Sequence, residues 1–324
     1  MESGLQSNEY YYNLRAHYTY HEPMYKDYQA MNIWRDVISY NPHQFRDKIV
    51  FEVGTGPGLF ALLAVRAGAK HVYAWEPTTI SKTAEDIVKH NNYQESITIL
   101  TGPIDEVKIP EKVDVVLTTS FGYSLLLDSL LLAFLYSRDN FLKDDGIVIP
   151  AKAEIVFTSC VKSMFAQSYD YWGDVYGFDF TAIEKDEINN AIVTAVSTTR
   201  IKTSQSTIAE LDFSKITKED LNITSQFSIK AITDHELDCF LLWFKLKFPL
   251  PNRNVELSTS PFDPDTHWNQ LTFKLPERIK IKQDDEITGT FKLKPVTDQL
   301  RPLIYDIEYS VNGGQHATLN YVFQ

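Results

Sequence analysis

The chain has 324 residues, 44% of them hydrophobic, which is more than one core usually supports and predicts two domains with a sizeable interior. Its 43 acidic and 31 basic residues leave a formal charge of -12, so there is no basic footprint for nucleic acid and anionic membranes are disfavoured. That charge serves solubility, or it attracts cationic, Arg-rich protein tails; composition alone leaves both open. The two cysteines, Cys160 and Cys239, lie far apart without metal-ligand spacing, which predicts a reducing compartment, no metal and no disulfide framework. No signal peptide is read. The apolar stretch Leu125 to Leu135 is too short for a bilayer and is broken by Asp128 and Ser129, so a soluble, cytoplasmic protein is expected.

In chain order, residues 1–44 form a tyrosine-rich segment in which Met24, Met31, Trp34 and Ile38 fall at helical spacings, predicting a covering helix from His21 onward. Lys48 to Val53 reads as the first buried strand. It runs into Glu52-Val-Gly54-Thr-Gly56-Pro-Gly58 and then the apolar Leu59 to Val65, the pattern of a strand, a glycine turn and a helix. Such a turn brings backbone close to a ligand and leaves helix N-terminal N–H groups facing a crevice; it also closes ordinary strand-helix joints. Leu59 stands where a dinucleotide fingerprint wants a third glycine, and no Lys-Ser/Thr follows to make a P-loop. NAD and ATP are therefore disfavoured. With acidic Glu52 before it and no phosphate-holding groups, the turn suits S-adenosylmethionine. His71 to Glu76 reads as a second strand ending in a carboxylate, placed where a ribose diol would be held by two hydrogen bonds.

A helix over Ile80 to His90, strands at Ile97 to Leu100 and Val113 to Thr118, a helix over Leu125 to Tyr136 and a strand over Gly146 to Pro150 continue the alternation. Residues 45–150 thus predict a doubly wound, Rossmann-like parallel sheet. Beyond Pro150 the period changes to two, as in Glu154 to Phe157, Gln226 to Ile229, Phe240 to Phe248 and Glu286 to Phe291, so residues 151–324 predict a β-rich antiparallel domain. Tyr169 to Phe180, dense in aromatics, is a core-covering loop or a partner patch. Arg278-Ile-Lys280-Ile-Lys282 alternates charge with isoleucine and reads as a solvated β-edge rather than a nucleic-acid surface.

Four separated matches resemble the protein arginine N-methyltransferase family over nearly the whole chain. Ala16-His-Tyr-Thr-Tyr-His21-Glu-Pro-Met24 is similar to that family's cofactor-covering helix, and Glu52 to Gly58 with Glu76 to its adenosylmethionine site. Thr118-Thr119-Ser120-Phe-Gly-Tyr123-Ser-Leu-Leu-Leu-Asp128-Ser129 occupies the place of its double-glutamate loop, and Thr266-His267-Trp268 reproduces its threonine-histidine-tryptophan loop. The resemblance implies a Rossmann-like methyltransferase domain, then a β-barrel-like domain with a helical dimerisation arm at about 171–201.

Methyl transfer to arginine needs a guanidinium, charged because its pKa is above about 12, held in line with the sulfonium methyl. Two carboxylates grip the planar fork and draw charge from the attacking nitrogen. By resemblance those two glutamates fall on Thr119 and Asp128, the first neutral and the second on a shorter stem. The family's arginine for the methionine carboxylate falls on Ala30, with Arg35 a nearby substitute, and a tyrosine of its N-terminal motif falls on Arg15. Gly54, Gly56, Gly58, Glu76, His21 and Met24 then form a vestigial adenosylmethionine site, and no cofactor is expected. His267 with Asp27 either orients a proton acceptor or holds two domains together. Trp268 reads as packing. The chain resembles most the catalytically inactive trypanosomatid prozyme subunits, which implies a hetero-oligomer with a catalytic paralogue that it assembles and activates. Two other readings stay open: an active methyltransferase with a divergent acidic site, and a scaffold presenting Arg-rich substrates.

Overall fold

The computed structural model describes residues 8–161, 172–183, 189–249, 255–296 and 302–323. The N-terminal segment is not one covering helix from His21 but three, α1 (Asn8–Arg15), α2 (Tyr18–Lys26) and α3 (Tyr28–Ser39), followed by the single turn α4 (Pro42–Phe45). The break falls at Asp27, whose carboxylate accepts the Ala30 N–H and caps α3. Apolar spacing alone runs through such a cap without registering it. The apolar face of α3 buries Ala30, Trp34, Val37 and Ile38.

Next come β1 (Ile49–Val53), α5 (Leu59–Arg66), β2 (His71–Trp75), α6 (Ser81–His90), β3 (Ile97–Leu100), β4 (Val113–Thr118), α7 (Leu131–Phe141) and β5 (Leu142–Ile149). The strands pair in parallel in the order β3-β2-β1-β4-β5. Central β1 is buried at every residue, as a strand covered on both faces must be. The winding direction reverses between β1 and β4, so the crevice at their carboxyl ends is where a ligand site belongs. Two boundaries differ from expectation. The helix begins at Leu131 and not Leu125, because Ser124, Leu125 and Asp128 take positive φ values of 49, 78 and 59°; the apolar run Leu125 to Leu127 is buried in a turn. Strand β5 begins at Leu142 rather than Gly146.

Beyond it the chain forms β6 (Lys152–Cys160), β7 (Ile192–Thr194), β8 (Ser206–Asp212), β9 (Ile223–Lys230), β10 (His235–Lys247), β11 (Glu256–Ser258), β12 (Gln270–Ile281), β13 (Glu286–Pro295), β14 (Leu303–Val311) and β15 (Ala317–Phe323). One antiparallel sheet runs β7-β12-β10-β6-β8 with β11 on β10, the other β15-β14-β13-β9. Their inner faces meet on aromatic rings: Phe157 lies 4.8, 5.0 and 5.2 Å from Phe227, Phe240 and Phe291, and Phe273 lies 5.0 Å from Tyr305. The architecture is thus a Rossmann-like sheet followed by a β-barrel-like domain. Strands β6 and β10 set Cys160 opposite Cys239 with Cα atoms 5.5 Å apart and the sulfurs bonded, which corrects the expectation of no disulfide: residues 79 apart in sequence are cross-strand neighbours. Of the expected arm, Tyr171 and residues 184–188 lie outside the described residues, as do 169 and 170 of the aromatic stretch; Tyr176 and Phe178 are exposed. No helix among the described residues is long and apolar enough to cross a membrane.

The two halves share one core. Trp34 of α3 packs edge-on against Phe60 of α5 and Phe248 beyond β10, at 5.9 and 4.8 Å. Arg138 of α7 donates to the carbonyls of Phe213 and Ile216, each at 2.8 Å, and the Trp268 indole N–H donates to the Phe121 carbonyl at 2.9 Å. Because Trp268 is buried and bonded across the junction, Trp268→Ala is expected to cost about 3 to 5 kcal/mol. Denaturant unfolding followed separately in each half should then split into two transitions.

Candidate cofactor and substrate site

At the carboxyl end of β1 the chain turns through Gly54, Gly56 and Gly58, with φ of 75, 54 and 94°. Only glycine takes such angles without strain. Space forbids a side chain too: a Cβ on Gly54 would lie 2.4 Å from Ser120 Oγ and 2.7 Å from Arg15 Nη2, and one on Gly56 would lie 2.8 Å from the His21 ring. The turn is therefore roofed by the α1–α2 segment and by the loop after β4.

Glu76 follows β2 directly and is fully buried. Its Oε2 accepts Arg15 Nη2 and the Gly56 N–H, each at 2.8 Å, and its Oε1 accepts the Thr78 hydroxyl at 2.9 Å and N–H at 3.2 Å. Arg15 Nε lies 3.1 and 3.2 Å from the two oxygens, and Nη2 also donates to the Gly54 carbonyl at 2.7 Å. Burial works against both charges, but the pair's attraction outweighs it: the Glu76 carboxyl is held below the ordinary carboxylate range and Arg15 is raised further above its own. The His21 Nε2–H donates to the Arg15 carbonyl at 2.8 Å. Burial, and then the charge of Arg15, push that imidazole down to about 4, so it is neutral. Sequence reading treats Arg15 only as a departure from a tyrosine. The signal that could have found it is that an arginine in a helix facing a sheet edge requires a buried carboxylate.

Two clefts flank this ion pair. The larger, about 1070 Å³, is bordered by Tyr11, Tyr12, Trp75, Thr78, Gly102 and Asp105. The smaller, about 230 Å³, is bordered by Arg15, His21, Met24, Thr119, Asp128 and His267. The structure thus brings the predicted Thr119 and Asp128 to one cavity and sets Gly54 in its wall. Ala30 is buried in α3, and Arg35, the nearby candidate substitute, is a surface side chain that donates to Asp36 at 3.0 Å and borders neither cleft. Asp27 accepts both the His267 N–H and its Nδ1–H at 2.8 Å. Burial opposes ionisation of Asp27, yet the bonds from His267 and Ala30 keep its carboxyl below the ordinary range. One carboxylate thus caps α3 and ties the loop before β12 to the cavity.

Residues 151–315 match the arginine methyltransferase oligomerization subdomain. Protein arginine N-methyltransferase 1 of Schizosaccharomyces pombe is 37% identical, across 96% of this chain and 92% of that one. The chain belongs to the protein arginine N-methyltransferase family. A probable protein arginine N-methyltransferase 1.2 of Arabidopsis thaliana is 33% identical, across 98% of this family member and 87% of its own length. A chain of the Trypanosoma brucei PRMT1 enzyme–prozyme heterotetrameric complex with AdoHcy superposes with a TM-score of 0.90 at 28% identity, covering 96% of this chain and 99% of that one. Arabidopsis thaliana protein arginine methyltransferase 10, at 22% identity and a TM-score of 0.84, shares the fold. These matches overturn the expectation of no cofactor, since a relative this similar is named a methyltransferase and the trypanosome complex was solved with AdoHcy. The residues of this family member fit such a group in kind, with Arg15 occupying the carboxylate that would hold it. A carboxylate ends β2 beside a positive-φ glycine turn, and clefts open on either side of it.

Glu52, at the end of β1, lies under the turn, fully buried, and accepts the Thr55 hydroxyl at 2.8 Å. Burial raises its pKa from an ordinary 4.5 to about 7; Thr55 opposes the rise and Glu76 adds to it. A carboxyl raised on folding binds more protons in the folded chain, so its contribution is complete below the unfolded pKa and is lost as pH climbs through the folded one. Between about pH 4.5 and 7 the chain should lose up to about 3 kcal/mol through this group. Urea unfolding across that range should show Glu52→Gln gaining on the native chain as pH rises; parallel profiles would refute the assignment.

Proposed function

We propose that this chain is a prozyme-type regulatory subunit of a protein arginine methyltransferase assembly. It holds an S-adenosyl ligand through Glu76 and the glycine turn, contributes its oligomerization subdomain, and leaves methyl transfer to a catalytic paralogue. The observation that carries this reading is Thr119. It is 3% exposed in the cavity that Asp128 also lines, and it is neutral where a guanidinium clamp needs a second carboxylate. A substrate guanidinium there meets the charge of Arg15 as well. Losing one partner of a buried charged pair costs roughly 2 to 5 kcal/mol, a rate loss from tens-fold to thousands-fold.

The match of residues 151–315 to an oligomerization subdomain and the likeness to a chain of an enzyme–prozyme heterotetramer support the assembly role. A second reading, an active enzyme using Asp128, rests on that carboxylate's place in the cavity wall. One experiment separates them. Purified alone with labelled S-adenosylmethionine and an Arg/Gly-rich peptide, the chain should transfer no label; co-expressed with a catalytic paralogue, it should co-elute and raise that paralogue's turnover. Transfer by the isolated chain would select the second reading, and separate elution with unchanged turnover would sink the first.

A further inference from the structure

We propose that Arg15 is a latch on the cofactor site, a specificity-determining residue that an S-adenosyl ligand must expel from Glu76 before it can bind. The inference rests on the cofactor-binding part of the function proposed above. A ribose diol is held by donating its two hydroxyls to a carboxylate, so the acceptor capacity of Glu76 decides whether it can enter. A carboxylate offers about four lone-pair sites. Here Oε2 takes Arg15 Nη2 and the Gly56 N–H, Oε1 takes the N–H and hydroxyl of Thr78, and Arg15 Nε reaches both oxygens. No acceptor remains for a diol while Arg15 stays.

Of those donors, the Gly56 and Thr78 groups belong to the framework of the sheet edge. Arg15 comes from the end of α1, outside the sheet, on a side chain with several rotatable bonds. It is the movable partner. Its position also separates the two clefts: Tyr11, Tyr12 and Ala16 of the same segment border the larger one, and Arg15 itself borders the smaller. Withdrawal of the guanidinium frees the Gly54 carbonyl and one acceptor site on Oε2 of Glu76 for a first hydroxyl, and rotation of the Thr78 hydroxyl away from Oε1 frees a second. The pair is buried at 3% and 0% exposure, so a ligand competes with an undiluted, charge-assisted contact. A neutral or shorter side chain at residue 15 would lift that competition.

Equilibrium titration of the full-length chain with S-adenosylhomocysteine tests this. Arg15→Tyr removes the charge, and Arg15→Lys keeps the charge but loses the fork that matches a carboxylate. Both variants are expected to bind more tightly than the native chain, the tyrosine variant by about tenfold or more, the scale of one lost charge-assisted contact. The lysine variant preserves a cation beside Glu76 and keeps the test valid if the tyrosine variant does not fold. Native binding with equal or weaker binding by the folded variants overturns the latch and leaves cofactor binding intact. Binding by the variants alone supports it, and silence from all three chains removes both the latch and the cofactor reading.

Discussion

A carboxylate at the end of β2 must be neutralised where water cannot reach it, and much of the N-terminal half is arranged around that requirement. Leaving Glu76 unpaired would cost several kcal/mol. The demand is met by backbone and hydroxyl donors from its own sheet edge and by Arg15 from outside it. Satisfying it pulls the α1–α2 segment over the glycine turn, where His21 fills the space a Cβ on Gly56 would need. The roof and the turn therefore depend on the same ion pair.

From that roof the coupling continues into the second half through Asp27. Its capping of α3 and its two bonds from His267 use one buried carboxylate for a local and a distant task. Trp268 beside it reaches the loop after β4, which carries Thr119, and Phe121 of that loop stacks on Phe213 at 5.7 Å. The cavity lined by Thr119, Asp128 and His267 is thus built from both halves. Its polar lining sets the single carboxylate of Asp128 among neutral hydroxyls, Thr119 included, with Arg15 close by. The assembly role proposed for the chain is compatible with a retained architecture around such a cavity.

The alternation of apolar strands with helical segments before residue 150, and the change to period two after it, were legible because each follows from which face an element buries. The glycine turn and the carboxylate after β2 were legible for the same kind of reason, since backbone angles and a strand end restrict residue type locally. The run Leu125 to Tyr136 misled because burial in a turn and burial in a helix leave the same apolar composition. The covering helix misled at Asp27, where a cap leaves apolar spacing unbroken.

What the sequence by itself determined was the order of elements, the glycine turn after β1 and the carboxylate after β2. Only the tertiary structure decided who meets whom. Arg15 and Glu76 are separated by 61 residues, Asp27 and His267 by 240, and Cys160 and Cys239 by 79. No local pattern encodes such pairs, because the energy that selects them is the cost of burying an unpaired polar group, which exists only once the chain has closed around it.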